Sequence, residues 1–363
     1  MKILVLNSGS SSVKYALFED DKQISNGLVE RVEDHLATIK EILGNIGKVD
    51  AVGHRVVHGG EKYKNSVIID SDAIETIRDL ISLAPLHNGA NLAGIEAVAK
   101  LYPDITQVAV FDTSFHQSIP DFAYTYAIPI SFYEQHKIRK YGFHGTSHKY
   151  ITNEAGKFLN IAEQNLNLIT FHLGNGDSVC AVKNGKSFDT SMGFTPLEGL
   201  VMGSRCGDID PQILIYLAKQ KGLSVDEIDK ILNKESGLKG ICGSSDMRDI
   251  EAKAQNGDKL ALLALDIFAY RAKKYLGSYA VALGRVDGIV FAGGIGENSP
   301  LIRMKILQDL EILGIEIDEQ KNQVRSREPF EINTENSKIK ILVIHTDEEK
   351  EIAKQTMRLA SHN

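Results

Sequence analysis

The stretch Leu168-Ile169-Thr170-Phe171-His172-Leu173-Gly174-Asn175-Gly176-Asp177-Ser178-Val179-Cys180-Ala181-Val182 reads as an apolar strand, a glycine turn and a second apolar strand. Short apolar runs broken by Gly and Asn favour a buried hairpin over a helix. The N-terminal region has the same grammar. Residues 3–7 read as a buried strand, Ser8-Gly9-Ser10-Ser11-Ser12 as a turn, and Val13-Lys14-Tyr15-Ala16-Leu17-Phe18 as a strand. Ser178-Val179 falls in one hairpin where Ser12-Val13 falls in the other. Two more strands answer each other: Val108-Ala109-Val110-Phe111, ending in Asp112-Thr113-Ser114, and Gly288-Ile289-Val290-Phe291-Ala292. The latter runs into a turn, Gly293-Gly294-Ile295-Gly296-Glu297-Asn298, and then a helix.

Helical signals lie between these strands. Residues 71–82 and 88–101 have helical spacing, with Ile74, Ile77 and Ile81 on one face. Asp210-Pro211 places a cap and a proline ahead of Ile213-Leu214-Ile215, and the Ala- and Leu-rich residues 257–283 predict one long helix. Alternating strands and helices favour an α/β class, and the repeated hairpins predict a duplicated fold with two facing lobes. A length of 363 residues also favours two domains.

Composition narrows the function. Hydrophobic residues make up 43% and charged residues 25%, which is globular rather than disordered. Lys and Arg total 41 against 48 Asp and Glu, and this mildly acidic balance argues against nucleic acid as the main partner. No apolar run approaches the roughly 18 residues of a membrane span. Residues 1–7 pass straight into a strand, so no secretory leader is expected. Cys180, Cys206 and Cys242 are odd in number and form no CxxC, which excludes a disulfide scaffold and predicts a cytoplasmic protein.

Three turns rich in Gly, Ser and Asn follow apolar strands, at 7–12, 174–178 and 293–298. Glycine lets the backbone approach a ligand and aim several N–H groups at one anion, so the set points to a polyphosphate. There is no GxxxxGK[ST], and neither Gly174-Asn175-Gly176 nor Gly294-Ile295-Gly296 has the third glycine of a dinucleotide fingerprint. Arg55, within Gly53-His54-Arg55-Val56-Val57-His58-Gly59-Gly60, and Arg205, within Gly203-Ser204-Arg205-Cys206-Gly207, sit on glycine-flanked segments. There a guanidinium either grips a carboxylate or phosphate or closes a salt bridge. His144 and His148 have zinc-like spacing, but HExxH is absent and Gly145-Thr146 reads as a helix start. A donor to a transferring phosphoryl group suits His144 better; a packed structural histidine is the plainer alternative. Asp112 ends a buried strand and needs a cation or donors, in a magnesium-linked or substrate-orienting role or as a cap. Thr346 and Glu349 have capping-box spacing, which leaves Glu348 to reach a metal through water.

Assembled, these segments resemble the acetokinase family, within the sugar kinase, heat-shock and actin-like ATPase superfamily. The stretches that carry the resemblance run in order along the chain: Asn7 to Lys14, His54 to Gly60, Leu83 to Asn88, Phe111 to His116, Tyr141 to His148, His172 to Gly176, Met202 to Asp210, Ser245 to Arg248, Gly293 to Ser299, and Thr346 to Glu349. The resemblance implies two ribonuclease H-like lobes with the active site in the cleft between them. Residues 1–114 plus 350–363 would form the first lobe, and 115–349 the second, which carries most of the nucleotide site. It also implies a homodimer and reversible, Mg2+-dependent transfer of the ATP γ-phosphoryl to acetate, giving acetyl phosphate and ADP by in-line attack of the carboxylate.

Residue by residue, the resemblance gives Asn7 and Glu348 to Mg2+ (or Mn2+), and Lys14 to the nucleotide phosphates. Asp112 would be the catalytic carboxylate, with His144 and Arg205 stabilising the transition state. Arg55 would bind the substrate carboxylate, and Val57, Leu86, Phe143 and Pro196 its methyl group. ATP would be bound by His172, Leu173, Gly174, Asn175, Gly176, by Asp246, Met247, Arg248, and by Gly294, Ile295, Gly296, Glu297, Asn298. Because an acetate oxygen is already an anionic nucleophile, no strong general base is needed; Asp112 is expected to orient metal-bound water or Arg205. Between Phe18 and Ala51 the chain is shorter than the family norm. The nearest rival is a kinase of propionate or another short-chain acid; a more distant one is a non-metabolic actin-like ATPase.

Overall fold

A computed structural model describes residues 1–85 and 87–362. It divides into two compact units, one of residues 1–117, 143–150 and 347 onward, the other of 118–142 and 151–346.

The first unit is built on a sheet of β1 (Lys2–Ser8), β2 (Ser12–Glu19), β3 (Lys22–Glu30), β4 (Ala51–Val56), β5 (Val67–Ile68) and β6 (Thr106–Phe111), ordered β3-β2-β1-β4-β6-β5. Alternation along the strands sends side chains to opposite faces. Leu4, Leu6, Val13, Leu17 and Val52 pack under helices His35–Ile46 and Asn88–Leu101. Ile3, Val5, Ala16, Phe18, Ala51, Val108 and Val110 pack against Ile352 and Ala353 of helix Glu348–Ala360. Helix Ser71–Asp79 buries Ile77 as its spacing predicts, with Ile74 and Ile81 beside it. At Gly53 the 348–360 helix comes so close that a Cβ would strike Thr356 and Ile352.

The second unit repeats this plan with β7 (Leu168–Leu173), β8 (Asp177–Lys183), β9 (Lys186–Thr190), β10 (Gly288–Ala292), β11 (Phe330–Glu331) and β12 (Lys340–Val343), ordered β11-β12-β10-β7-β8-β9. Read from opposite edges the two orders coincide, which makes β10 the counterpart of β4 and β12 that of β6, so 288–292 does not answer the strand ending at Asp112 as the sequence suggested. Each has an antiparallel meander, two strands parallel to its first strand, and a short antiparallel edge strand. The expected long helix is Lys259–Leu283, capped by the Asp258 side chain, and it lays Ala264, Leu265, Phe268, Ala272 and Leu276 on the sheet. Phe171 and Phe291 stack across β7 and β10 with ring centroids 5.2 Å apart.

Some local expectations change. The 293–298 segment is a short helix, Gly293–Asn298, rather than an open turn. Pro211 precedes helix Gln212–Lys221 as its cap residue, and the Asp210 carboxylate accepts the Gln212 N–H. The capping box expected from Thr346 and Glu349 is not formed. Asp347 caps the last helix by accepting the Lys350 N–H at 2.9 Å, and Glu349 turns to Lys14.

The sheets explain where the candidate residues gather. Asn7, Arg55 and Asp112 lie at the carboxyl ends of β1, β4 and β6, and residues 172–176 and 293–298 at the carboxyl ends of β7 and β10. Ligands of open α/β sheets bind at such ends, where the backbone leaves the sheet and loops can diverge.

Candidate active site

In the first unit, the neighbouring parallel strands β4 and β6 bring Arg55 and Asp112 together. Arg55 Nε donates to Asp112 Oδ1 at 3.2 Å and Nη2 to Oδ2 at 2.5 Å, a two-pronged pair with Asp112 fully buried. Thr146 Oγ1 also donates to Asp112 Oδ1, at 3.1 Å, and Gly145 N to the Asp112 carbonyl at 2.9 Å. A side chain at Gly145 would collide with that carbonyl, so only glycine lets helix Gly145–Leu159 start on Asp112. His144 precedes this start with φ of +57°, left-handed backbone that a non-glycine residue seldom adopts. Its carbonyl accepts the His148 N–H at 2.9 Å, closing the first helical turn.

Burial opposes the Arg55 charge, but the pull of Asp112, helped by Glu348 and Glu349, outweighs it and raises the arginine's pKa. Glu348 moves the other way: burial pushes its carboxyl up to about 7, with Asp112 and Glu349 adding to the rise and Arg55 and Lys14 opposing it. Arg55, Asp112, Glu348 and Lys14 thus share one electrostatic neighbourhood. Asn7 faces Lys14 across the β1–β2 ladder, and Lys14 Nζ lies 2.5 Å from Glu349 Oε1. Excess negative charge beside a carboxamide suits a hard divalent cation that keeps its waters and takes few protein ligands. Asn7 and Glu348 therefore fit Mg2+. Among the described residues no group of three or more His, Cys, Asp or Glu side chains is arranged to hold a metal alone.

Val57 and Phe143 are buried, and the Phe143 ring meets His58 edge to face at 5.8 Å. The His116 ring donates to the Phe143 carbonyl at 3.0 Å. Two residues to which the sequence reading gave no role hold this loop. Asn91 accepts from the Val57 N–H at 3.1 Å, and Asn88 accepts from the His58 N–H and donates to the His58 carbonyl. Their signal was two asparagines entering a helix whose neighbours are apolar. Leu86 lies outside the described residues.

In the second unit, Arg205 Nη1 donates to the Pro196 carbonyl at 2.7 Å. Burial lowers its pKa, with Asp177 opposing. The turn carrying Arg205 leans on Gly174-Asn175-Gly176, since Gly203 N approaches Asn175 O at 3.4 Å. Leu238 and Lys239 donate from below to the carbonyls of Met202 and Gly203. Leu173 and Met247 spend their side chains in the core, leaving only backbone to offer a ligand. Asp246 caps helix Met247–Gln255 and grips the exposed Arg248 at 2.6 Å, which holds its carboxyl below the usual range. Glu297 is tied inward, accepting from Gly293 N at 2.8 Å and Thr346 N at 3.1 Å and pairing with His345 at 2.6 Å.

Asp177 and Arg303 also carry the glycine segments, and the sequence reading assigned neither a role. Arg303, fully buried, donates to the carbonyls of Gly296 and Glu297 at 2.8 and 2.9 Å, to Asn322 Oδ1 at 2.8 Å and to the Asn322 carbonyl at 2.6 Å. Burial lowers its pKa to about 10. Its signal was an arginine at a helical position between two apolar residues, Ile302 and Met304.

The comparisons with known proteins agree along the whole chain. An acetate kinase of Thermoanaerobacterium thermosaccharolyticum is 51% identical, the match covering 99% of each chain. That match spans 396 aligned positions against this chain's 363 residues, so the relative carries segments that this chain lacks. The crystal structure of an acetate kinase of Porphyromonas gingivalis superposes with a TM-score of 0.95 at 42% identity, covering 99% of both chains. A propionate kinase of Francisella tularensis subsp. tularensis superposes with a TM-score of 0.93 at 45% identity, again covering 99% of both. The Acetokinase family model matches residues 33–354, from the first helix of one unit through the second unit and back, and the chain belongs to that family.

Proposed function

We propose that this chain is a carboxylate kinase that moves the γ-phosphoryl of ATP reversibly onto acetate, giving acetyl phosphate and ADP. The observation that carries the reading is Arg55: a guanidinium kept cationic by Asp112 at the carboxyl end of β4, two residues before the buried Val57. Such a cation recognises a small carboxylate, and an apolar neighbour recognises a short tail.

Each residue has a part in the reaction. Arg55 holds the carboxylate, and the buried Val57 and Phe143 of the same unit face its methyl group. One acetate oxygen attacks the γ-phosphorus, the bond to the β,γ-bridging oxygen breaks, and ADP leaves with that electron pair. No proton has to be removed from the nucleophile. The barrier is the mutual repulsion of two anions, together with charge spread over the equatorial oxygens. Arg205 and His144 donate to those oxygens, Lys14 to the nucleotide phosphates, and segments 172–176, 246–248 and 294–298 bind ATP. Asp112 keeps Arg55 aligned and charged. Asn7 and Glu348 would hold Mg2+, whose charge would offset that of the phosphates. On this reading the reaction runs in the cytoplasm, which the three free cysteines support. Among the described residues no helix is long and apolar enough to cross a membrane. A homodimer is favoured by Ile215, Tyr216, Leu263 and Tyr270, exposed on two helices of the second unit.

The propionate kinase neighbour supports a second reading, with propionate as the preferred acid. Trapping the acyl phosphate with hydroxylamine, in the presence of ATP, Mg2+ and two- to four-carbon acids, decides between them. Acetate should give the highest kcat/KM, with propionate lower by about 10–200-fold, the usual worth of one methylene. Val57→Ala should narrow that gap. No hydroxamate from any acid would reject the activity, and a preference for propionate would reject the assigned acid.

A further inference from the structure

Between the end of β9 and the start of helix Gln212–Lys221, the described residues 191–211 form no strand and no helix. With no ladder to satisfy its backbone, this segment takes its shape from the groups that reach into it. Arg205 and Pro196 both lie on it, joined by the hydrogen bond from Arg205 Nη1 to the Pro196 carbonyl at 2.7 Å. Its two limbs meet again at Gly199 and Asp208. The Asp208 N–H donates to the Gly199 carbonyl at 3.0 Å, and the Gly199 N–H donates to Asp208 Oδ1 at 2.8 Å. The limbs run so close that a Cβ on Gly207, whose φ is +66°, would strike the carbonyls of Gly199 and Leu200.

Helix Lys259–Leu283 ties the two limbs together from outside. Arg271 Nη1 donates to the Gly199 carbonyl at 3.1 Å and to the Asp208 carbonyl at 3.0 Å, one on each limb. One helical turn later, the Tyr275 hydroxyl donates to Asp208 Oδ2 at 2.7 Å. The Asp208 carboxylate therefore has one oxygen on the segment's own backbone and the other on the helix. Ala272 and Leu276 of that helix are buried on the sheet, so the tie is anchored to a fixed frame. The tied residues Gly199 and Asp208 each lie three positions beyond Pro196 and Arg205. We propose that Arg271, assisted by Tyr275, is a positioning residue for phosphoryl transfer: by joining the two limbs it holds the Arg205 guanidinium where it donates to the transferring group. A donor fixed in advance needs no rearrangement as charge develops, whereas one displaced by an ångström loses much of its effect. This inference rests on the assignment of Arg205 to the transition state.

The test is steady-state formation of acyl phosphate from acetate, ATP and Mg2+. Arg271→Met keeps the stem and removes the donors. It should lower kcat by about 10–100-fold with both KM values within about twofold of wild type, the pattern of an interaction realised only in the transition state. Arg271→Lys, which keeps a donor, should recover part of that loss. Tyr275→Phe, which deletes one hydroxyl, should lower kcat by about 2–10-fold, again without moving KM. In an Arg205→Ala background, Arg271→Met should cost less than about twofold more, because the group it positions is gone. Wild-type kcat in Arg271→Met overturns the proposal, as does a loss that appears in KM or one that multiplies with the loss from Arg205→Ala. Should Arg271→Met fail to fold, Tyr275→Phe, alone and combined with Arg205→Ala, decides by the same criteria. No acyl phosphate from the wild type overturns the assigned reaction, and wild-type turnover in Arg205→Ala overturns the role of Arg205; either result removes the proposal with it.

Discussion

Arg55 in the first unit gives two N–H groups to one carboxylate, whereas Arg205 in the second gives its hydrogen bond to a backbone carbonyl. The first pair secures a permanent charge: Asp112 raises the arginine's pKa despite burial. Burial lowers that of Arg205, and its acidic neighbour makes up only part of the loss. A cation satisfied in advance suits the holding of a substrate, because it does not reorganise. A cation left under-served gains most when negative charge develops in front of it, and such gains accelerate reactions.

If this contrast is right, the largest effect lies in the first unit. Asp112→Ala leaves Arg55 partly buried and unpaired, and should cost about 3–5 kcal/mol of folding free energy in a denaturant titration. Arg55→Ala should cost a similar amount, and the double variant little more than either. Additive losses would show that the two do not act as one group. Arg205→Ala should instead spare the unfolding midpoint and lower turnover at least about a hundredfold, the worth of one lost transition-state donor. A rate near wild type would break the comparison.

Next in size is an acid sensitivity confined to the first unit. Burial lowers His54 and His58 from 6.5 to about 4. Between those values the unfolded chain binds more protons, so these groups' stabilisation is complete above pH 6.5 and is lost as pH falls toward 4. Glu348, raised from 4.5 to about 7, has the opposite sign: its contribution is full below 4.5 and fades as pH rises through 7. The two histidines should outweigh it, giving stability that falls on acidification, by roughly 3 kcal/mol for each complete histidine shift. His54→Gln should flatten that fall when unfolding is followed against pH; an unchanged slope would assign the acid loss elsewhere. The smallest effect is expected from Glu349→Gln. Lys14 is half-exposed, so breaking that pair should change stability by less than about 1 kcal/mol, measured by thermal melting.

The parts of the fold legible in the sequence were those where one physical signal dominates. β7 and β10 begin and end where their apolar runs do, and the long helix starts two residues inside its expected span. β3 was not legible: Lys22-Gln23-Ile24-Ser25-Asn26-Gly27 is polar and exposed, and becomes a strand only because β2 offers it an edge. In the site, Arg55 and Asp112 each stood out by their glycine or apolar surroundings, but their pairing depends on strand register, which no local pattern states. Arg303 was hidden for the opposite reason, since its helical position looks like an ordinary surface arginine until the sheet and the helices close around it. The glycine turns advertised themselves, whereas the charges beneath them did not.

The close seat of the 348–360 helix on Gly53 bears on how the protein emerges from the ribosome. Strands β1, β4 and β6 are synthesised early, yet the face bearing Ile3, Val5 and Val110 stays bare until Ile352 and Ala353 arrive, after the entire second unit has been made. A nascent chain therefore has to shelter that apolar surface while its neighbour folds, and a stalled or shortened product would expose it as a sticky, half-clad sheet.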